Sequence, residues 1–129
     1  MSSLESQTKR NPTDSVEANG TTIAVGDWVT DKHPSNEGKA IVVECHDIPA
    51  ADWFILNLQC RVSEVPSNEQ YPSDDPVVRV VFTDSLSEEF DDWTVEEILD
   101  YDVRVPNKLG DTAVRAYTFP ISRLKPLDV

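Results

Sequence analysis

Apolar and polar residues alternate along several short stretches of the chain, which is the pattern of half-buried β-strands. The clearest case is the segment VVRVVFT, in which Val78, Val80 and Phe82 share one face. Arg79 lies on the opposite face. Similar patterns predict five short strands in all, over residues 23–30, 39–46, 53–62, 77–83 and 113–119.

One helix is predicted, over residues 94–101. Thr94 and Glu97 have the spacing of a capping box, and Trp93 and Ile98 match the hydrophobic staple that accompanies it. The apolar residues that follow Thr94 have the i, i+3, i+4 spacing of one buried stripe. At about two turns, this helix needs tertiary packing to be stable.

Turn-forming and polar residues separate these elements. Residues 1–21 hold one leucine and one valine among polar and charged residues, which predicts a disordered leader. Residues 31–38 and 63–76 are rich in proline, serine, asparagine and acids, and we expect loops there. The sequence therefore predicts a single small β domain over residues 22–129.

Four segments carry a resemblance to a known architecture. VGDWV, GKAIVVE, VVRVVF and FPISRLKPL, in this order, resemble the opening strand, second strand, central strand and closing turn of SH3-like barrels. These are the barrels of KOW, Tudor and CarD-type domains, and the resemblance covers residues 23–45, 77–83 and 117–127. It implies a mainly β fold, either a small SH3-like barrel or a strongly bent five-stranded sheet with one short inserted helix. The long segment 46–76 and the acidic helical insert depart from the pattern.

Charge changes the picture more than composition does. The chain has 24 acidic and 11 basic residues, a formal net charge of −13. The acids are spread along the chain, a bias that resembles haloarchaeal proteins and predicts adaptation to high salt. The alternative is a specific acidic surface, either for a basic partner or for mimicking nucleic acid. There is no apolar signal segment or membrane-spanning run, so we expect a cytoplasmic protein without membrane association.

No catalytic or nucleotide-binding motif is present. The four glycines form no phosphate-binding loop, and two histidines leave little material for general-base catalysis. We therefore expect neither an enzyme nor a cofactor. Cys45 and Cys60 are expected to be buried, reduced thiols on the inward faces of strands. Zinc binding with His33 and His46, or a disulfide, are the alternatives.

A series of nine acids with no basic residue between them surrounds the predicted helix. It could bind a divalent cation or a basic protein, or simply form a solvated face. The acidic run consists of Asp84, Glu88, Glu89, Asp91, Asp92, Glu96, Glu97, Asp100 and Asp102.

The C-terminal part of the chain has the opposite charge. Residues 103–127 contain five basic residues against one acid, with Tyr117 and Phe119 among them. This composition is compatible with a nucleic-acid surface. The alternative is that the bases pair with the acidic run and stabilise the fold, which we favour because the net charge repels phosphate. The candidate contacts are Arg104, Arg115, Arg123 and Lys125.

The function predicted from sequence is non-catalytic binding, with a protein partner ahead of nucleic acid and a carboxylate-based enzyme as a further alternative. Aromatic side chains provide contact area at low entropic cost, so they are the candidate anchors for a partner. These candidates are Trp28, Trp53, Tyr71 and Trp93.

Overall fold

The computed structural model describes residues 13–33, 38–56, 58–101 and 108–127. Within these ranges the chain forms β-strands and two α-helices, joined by turns and short 3₁₀ segments. The helices are α1 (Thr83–Glu89) and α2 (Val95–Leu99). The strands are β1 (Ser15–Ala18), β2 (Thr21–Ala24), β3 (Trp28–Asp31), β4 (Lys39–Pro49), β5 (Phe54–Ile55), β6 (Cys60–Arg61), β7 (Pro76–Phe82), β8 (Tyr117–Pro120) and β9 (Leu124–Pro126).

Five strands form one antiparallel sheet in the order β8-β7-β4-β3-β9. The strands β3, β4, β7 and β8 pair in chain order, and β9 then returns to pair with β3. A 3₁₀ turn at Ile121–Arg123 makes this return possible within a few residues. β1 with β2, and β5 with β6, form two smaller antiparallel pairs. The predicted mainly β fold with a five-stranded sheet is confirmed.

Both faces of the sheet are buried, by three apolar clusters. Val78 and Val80 of β7 join an inner cluster together with the β1–β2 hairpin. Val81 joins a helix-side cluster on the opposite face, which the two helices cover. Val77 packs with Ala50 and Val62 in a third cluster beneath β5 and β6, the ribbon cluster. Burial on both faces explains why β7 reads as a nearly continuous apolar run.

The ordered chain begins earlier than the sequence predicts. β1 lies within the predicted disordered leader 1–21, and it pairs with β2 through a turn at Asn19 and Gly20. Val16 is only 6% exposed and packs in the inner cluster, so this one apolar residue anchors the strand. The prediction is therefore wrong for residues 13–21, while residues 1–12 lie outside the described ranges.

Three other elements differ from their predicted form. The strand predicted over 53–62 is a hairpin of two very short strands, because the chain reverses near Gln59, which has a left-handed φ of 54°. The strand predicted over 113–119 begins only at Tyr117, because the preceding residues turn to bury Val114 in the helix-side cluster. α1 was not predicted, since Leu86 is its one buried residue.

Gly26 lies directly beneath α2. It occupies the turn between β2 and β3 with a φ of +94°, a conformation that favours glycine. The side chains of Leu99 and Val95 lie 3.7 and 3.9 Å from the position a Cβ would take. The chain turns here between β2 and β3, and the second helix packs directly over this turn.

Candidate functional site

A cleft of about 320 Å³ lies beside the two helices. β7 leads directly into α1, and the connection between the helices then positions aromatic side chains before the start of α2. Ile98 is only 1% exposed and packs in the helix-side cluster, which fixes α2 against the sheet. The lining residues are Phe90, Asp92, Trp93, Glu97, Ile98, Asp100 and Tyr101.

Three aromatic rings form the walls of the cleft. The ring centroids of Phe90 and Tyr101 are 5.7 Å apart with an interplanar angle of 43°. Trp93 packs against Trp28 of β3 at 5.9 Å, and its indole N–H donates to Ser87 Oγ at 3.4 Å. Because the rings contact one another and the sheet, the walls are held in place before any ligand arrives.

Carboxylates surround these walls. Asp92, Glu97 and Asp100 are all exposed, and none of the lining residues is basic. One oxygen of Glu97 is already used within the fold, since Oε1 accepts a hydrogen bond from the Thr94 backbone N–H at 3.0 Å. The cleft therefore combines aromatic faces with negative charge, a combination that attracts an organic cation.

The acidic run is a solvated surface along the described part of its length. Every member from Asp84 to Asp100 is exposed, and Asp102 lies outside the described residues. In the described ranges, the ion pairs link Glu44 to Arg79 and His46, and Asp31 to Arg123; none involves the run. Likewise, no group of three or more His, Cys, Asp or Glu residues there is arranged to hold a metal ion.

Arg123 is a structural residue, not a surface contact. It is exposed by only 5%, and its Nε and Nη2 donate to the two carboxylate oxygens of Asp31, both at 2.7 Å. Nη1 donates to Asn68 Oδ1 at 2.8 Å, and the guanidinium lies 4.6 Å from the centre of the Phe119 ring. Its predicted role as a nucleic-acid contact is wrong. The alternative, that it pairs with the acidic run, is not met either, because its carboxylate partner is Asp31 of β3.

Two of the other three basic candidates lie in the described residues. Arg115 is exposed and lies two residues before β8, at one end of the strand order. Lys125 is exposed in β9, at the other end of that order. Arg104 lies outside the described residues.

The four aromatic candidates are all half-buried. Trp28 and Trp93 pack against the helix-side cluster, and Trp53 packs against the ribbon cluster with its ring 4.7 Å from that of His46. Tyr71 is in the loop before β7. Of the four, Trp93 alone lines the cleft.

Sequence reasoning missed Phe90 and Tyr101 as site residues. They stand with Trp93 inside the acidic run, so three aromatics are interleaved with its acids. That interleaving was the available signal.

The two cysteines differ in their surroundings. Cys45 is buried in the inner cluster, and burial, with smaller contributions from Asp27, Asp14 and Glu44, raises the pKa of its thiol to about 12. It is therefore protonated at neutral pH and unsuited to nucleophilic catalysis. Cys60 is only half-buried, contrary to the prediction. Both are free thiols.

A buried polar trio lies on the sheet where β4 and β7 pair. Glu44 Oε1 is 2.8 Å from His46 Nε2 and 3.6 Å from Arg79 Nη1, and all three residues are buried. Burial lowers the pKa of Arg79, although Glu44 acts in the opposite direction. None of the three lines the cleft, so the trio does not contribute a catalytic group to it.

Comparisons with protein-family models, curated proteins and solved structures give no match for this chain. In the described ranges, no helix is long and apolar enough to cross a membrane.

Proposed function

We propose that this chain is a non-catalytic binding module that docks a basic segment of a partner protein, with a cationic side chain of that segment in the cleft beside α2. The observation that carries the proposal is the cleft itself, with its walls of Phe90, Trp93 and Tyr101. A lysine or arginine side chain is attracted both to such ring faces and to the carboxylates around them.

The surroundings of the cleft favour a protein segment over a metal ion or a nucleic acid. The carboxylates that line it are not grouped for metal coordination within the described residues. The exposed acids of the run continue on both sides and provide further contacts for a basic chain, but repel phosphate. The nucleic-acid alternative also loses Arg123, which is buried in the fold.

We further propose that this module is an SH3-like barrel. Gly26 and Asp27 come directly before β3, the first strand of the main sheet, as in the barrel pattern. The turn before Leu124 leads into β9, which closes the order by pairing with β3. The acidic helices are then an insert between the third and fourth strands, and the cleft is formed by this insert. We also propose that the protein works in a salt-adapted cytoplasm.

Titration calorimetry with a ten-residue peptide of lysine and arginine tests the charged part of the cleft. We expect D92N/D100N to weaken binding about tenfold, since two such charge contacts are each worth roughly 0.5–1 kcal/mol. The matched control is E88Q/E89Q, which removes the same charge from exposed positions of α1 that do not line the cleft. Equal losses in the two variants, or no binding by the wild type, would show that the cleft is not the site.

The aromatic part is tested by Tyr101→Leu, which keeps an apolar wall but removes one ring face. Tyr101 is exposed by 37%, so the substitution spares the core. We expect affinity for the same peptide to fall about threefold to fivefold, the value of one exposed cation–π contact. Unchanged affinity would mean that the rings serve packing alone.

A further inference from the structure

The ribbon formed by β5 and β6 presents an apolar surface to solvent. Phe54, Leu56 and Leu58 are exposed by 38%, 56% and 57%. In the described ranges, five large apolar side chains are exposed in total, and three of them lie within residues 54–58. Single exposed apolar residues are ordinary, but several grouped on one projecting segment indicate a contact surface.

This apolar surface is also free of acids. Residues 53–63 contain no Asp or Glu, in a chain that has 24 of them. The nearest acids in sequence are Asp52 and Glu64, and the one charged residue between them is Arg61, which is exposed. The segment therefore has a local charge opposite to that of the whole molecule.

We propose that the β5–β6 ribbon is a self-association surface, through which two copies of this chain form a two-fold dimer. A basic partner is drawn to the acidic surfaces of this molecule and gains nothing from an acid-free apolar segment. An equally acidic partner can approach closely only where acids are missing, and a second copy carries the same apolar ribbon. Arg61 at the border of the ribbon gives that second acidic chain a cation with which to pair.

Salt should strengthen this contact. Two molecules that each carry a net charge of −13 repel one another in dilute buffer. In molar salt the range of this repulsion falls to about 3 Å. The apolar contact survives such screening, because it does not depend on charge attraction. The proposal is separate from the cleft, which lies beside the helices and not beneath the ribbon.

Sedimentation velocity over a range of protein concentrations, in dilute buffer and in molar KCl, tests the proposal. We expect the wild type to dimerise in molar KCl, and L56S/L58S to raise the dimer dissociation constant at least about tenfold by removing apolar contact area. The control is Tyr117→Ser, an exposed position outside the ribbon, which should leave the dimer unchanged. All three substituted positions are exposed, and circular dichroism checks that each variant is folded.

Two results would overturn the proposal. One is a wild type that stays monomeric at all concentrations in molar KCl, including the case in which it instead floats with zwitterionic lipid vesicles. The other is a dimer that L56S/L58S leaves intact.

Discussion

Arg123 connects three separate parts of the chain through one buried guanidinium. It joins the start of β9 to Asp31 at the end of β3 and to Asn68 in the segment before β7. The planar fork of arginine matches the two oxygens of a carboxylate, and its third nitrogen, Nη1, donates to an amide oxygen. These contacts hold the returning strand in place, in addition to its backbone pairing with β3.

Removing the Arg123 side chain should therefore be severe. In Arg123→Leu, the Asp31 carboxylate loses a cation at a site where it is 6% exposed, and we expect a loss of about 3–5 kcal/mol in the free energy of unfolding. Arg115→Leu, at an exposed position, should change stability by no more than about 0.5 kcal/mol. Urea unfolding of the two variants measures this difference. Similar losses in both would contradict a structural role specific to Arg123.

Cys45 makes a second residue-scale prediction, which concerns alkaline pH. Its thiol has a pKa of about 12 in the folded chain against an ordinary value of 9.0. Between these values the unfolded chain releases a proton that the folded chain retains. The unfolding free energy should thus be unaffected below about pH 9 and should fall above it, by at most about 1.4 kcal/mol per pH unit. Cys45→Ala should remove this part of the slope, whatever it does to stability at neutral pH; an unchanged slope would contradict the shift.

The chemistry of single residues was only partly predictable. Alternation alone does not give the face of Cys45, although its burial is as predicted: a register shift between Val42 and Glu44 puts it in the inner cluster with Val42, whereas Ile41 lies in the helix-side cluster. Alternation was misleading for Cys60, where the chain forms a hairpin and the period of one long strand does not apply. The pairing of Arg123 with Asp31 was beyond sequence reasoning, since it depends on how β9 returns to β3 across most of the chain.

At the scale of elements, α2 was predictable because its signals are local. The capping box is present: Thr94 Oγ1 accepts from the Glu97 N–H at 3.2 Å, and Glu97 Oε1 accepts from the Thr94 N–H at 3.0 Å. α1 has one buried apolar residue, Leu86, and β1 has one, Val16, so neither shows a period. Both are held by packing against elements distant in sequence, which a local pattern does not record.

The capping box can be tested without disturbing the core, since Thr94 is exposed. Thr94→Ala should lower the unfolding free energy by about 1 kcal/mol, the usual value of an N-cap side chain. Thr94→Ser retains the hydroxyl and should recover most of that loss. Chemical denaturation of both variants provides the measurement. If Ala and Ser behave alike, the hydrogen bonds at this cap do not contribute to stability.

The helix that Thr94 caps also positions residues of the proposed site. α2 positions Glu97, Ile98, Asp100 and Tyr101 along the cleft, and its first turn is fixed by Thr94. The acidic run was visible in the sequence, and so were the aromatics within it. Their convergence on one cleft was not, because it requires both helices to lie against the same face of the sheet.

At the scale of the whole molecule, charge is distributed unevenly over the described surface. The acidic run surrounds the cleft, and the acid-free ribbon covers the ribbon cluster. A dimer through the ribbon would carry two clefts, so a partner with two basic segments would gain affinity by avidity if its linker spans them. The net charge was read correctly from composition, whereas the separation of these surfaces depends on the fold.

The last prediction concerns this net charge and the salt dependence of folding. A net −13 in a chain of 129 residues favours expansion at low ionic strength, and the acidic run lacks compensating ion pairs within the described ranges. We expect the melting temperature to rise by roughly 10 °C between dilute buffer and molar KCl, equivalent to about 2 kcal/mol for a domain of this size. Salting-out of apolar groups also raises stability, so a charge-reduced variant must separate the two effects. E88Q/E89Q/E96Q removes three exposed charges without touching the core, and it should melt higher than the wild type in dilute buffer and gain less from KCl. A melting temperature that does not change with KCl, or an equal rise in wild type and variant, would contradict the view that this chain is adapted to high salt through its charge.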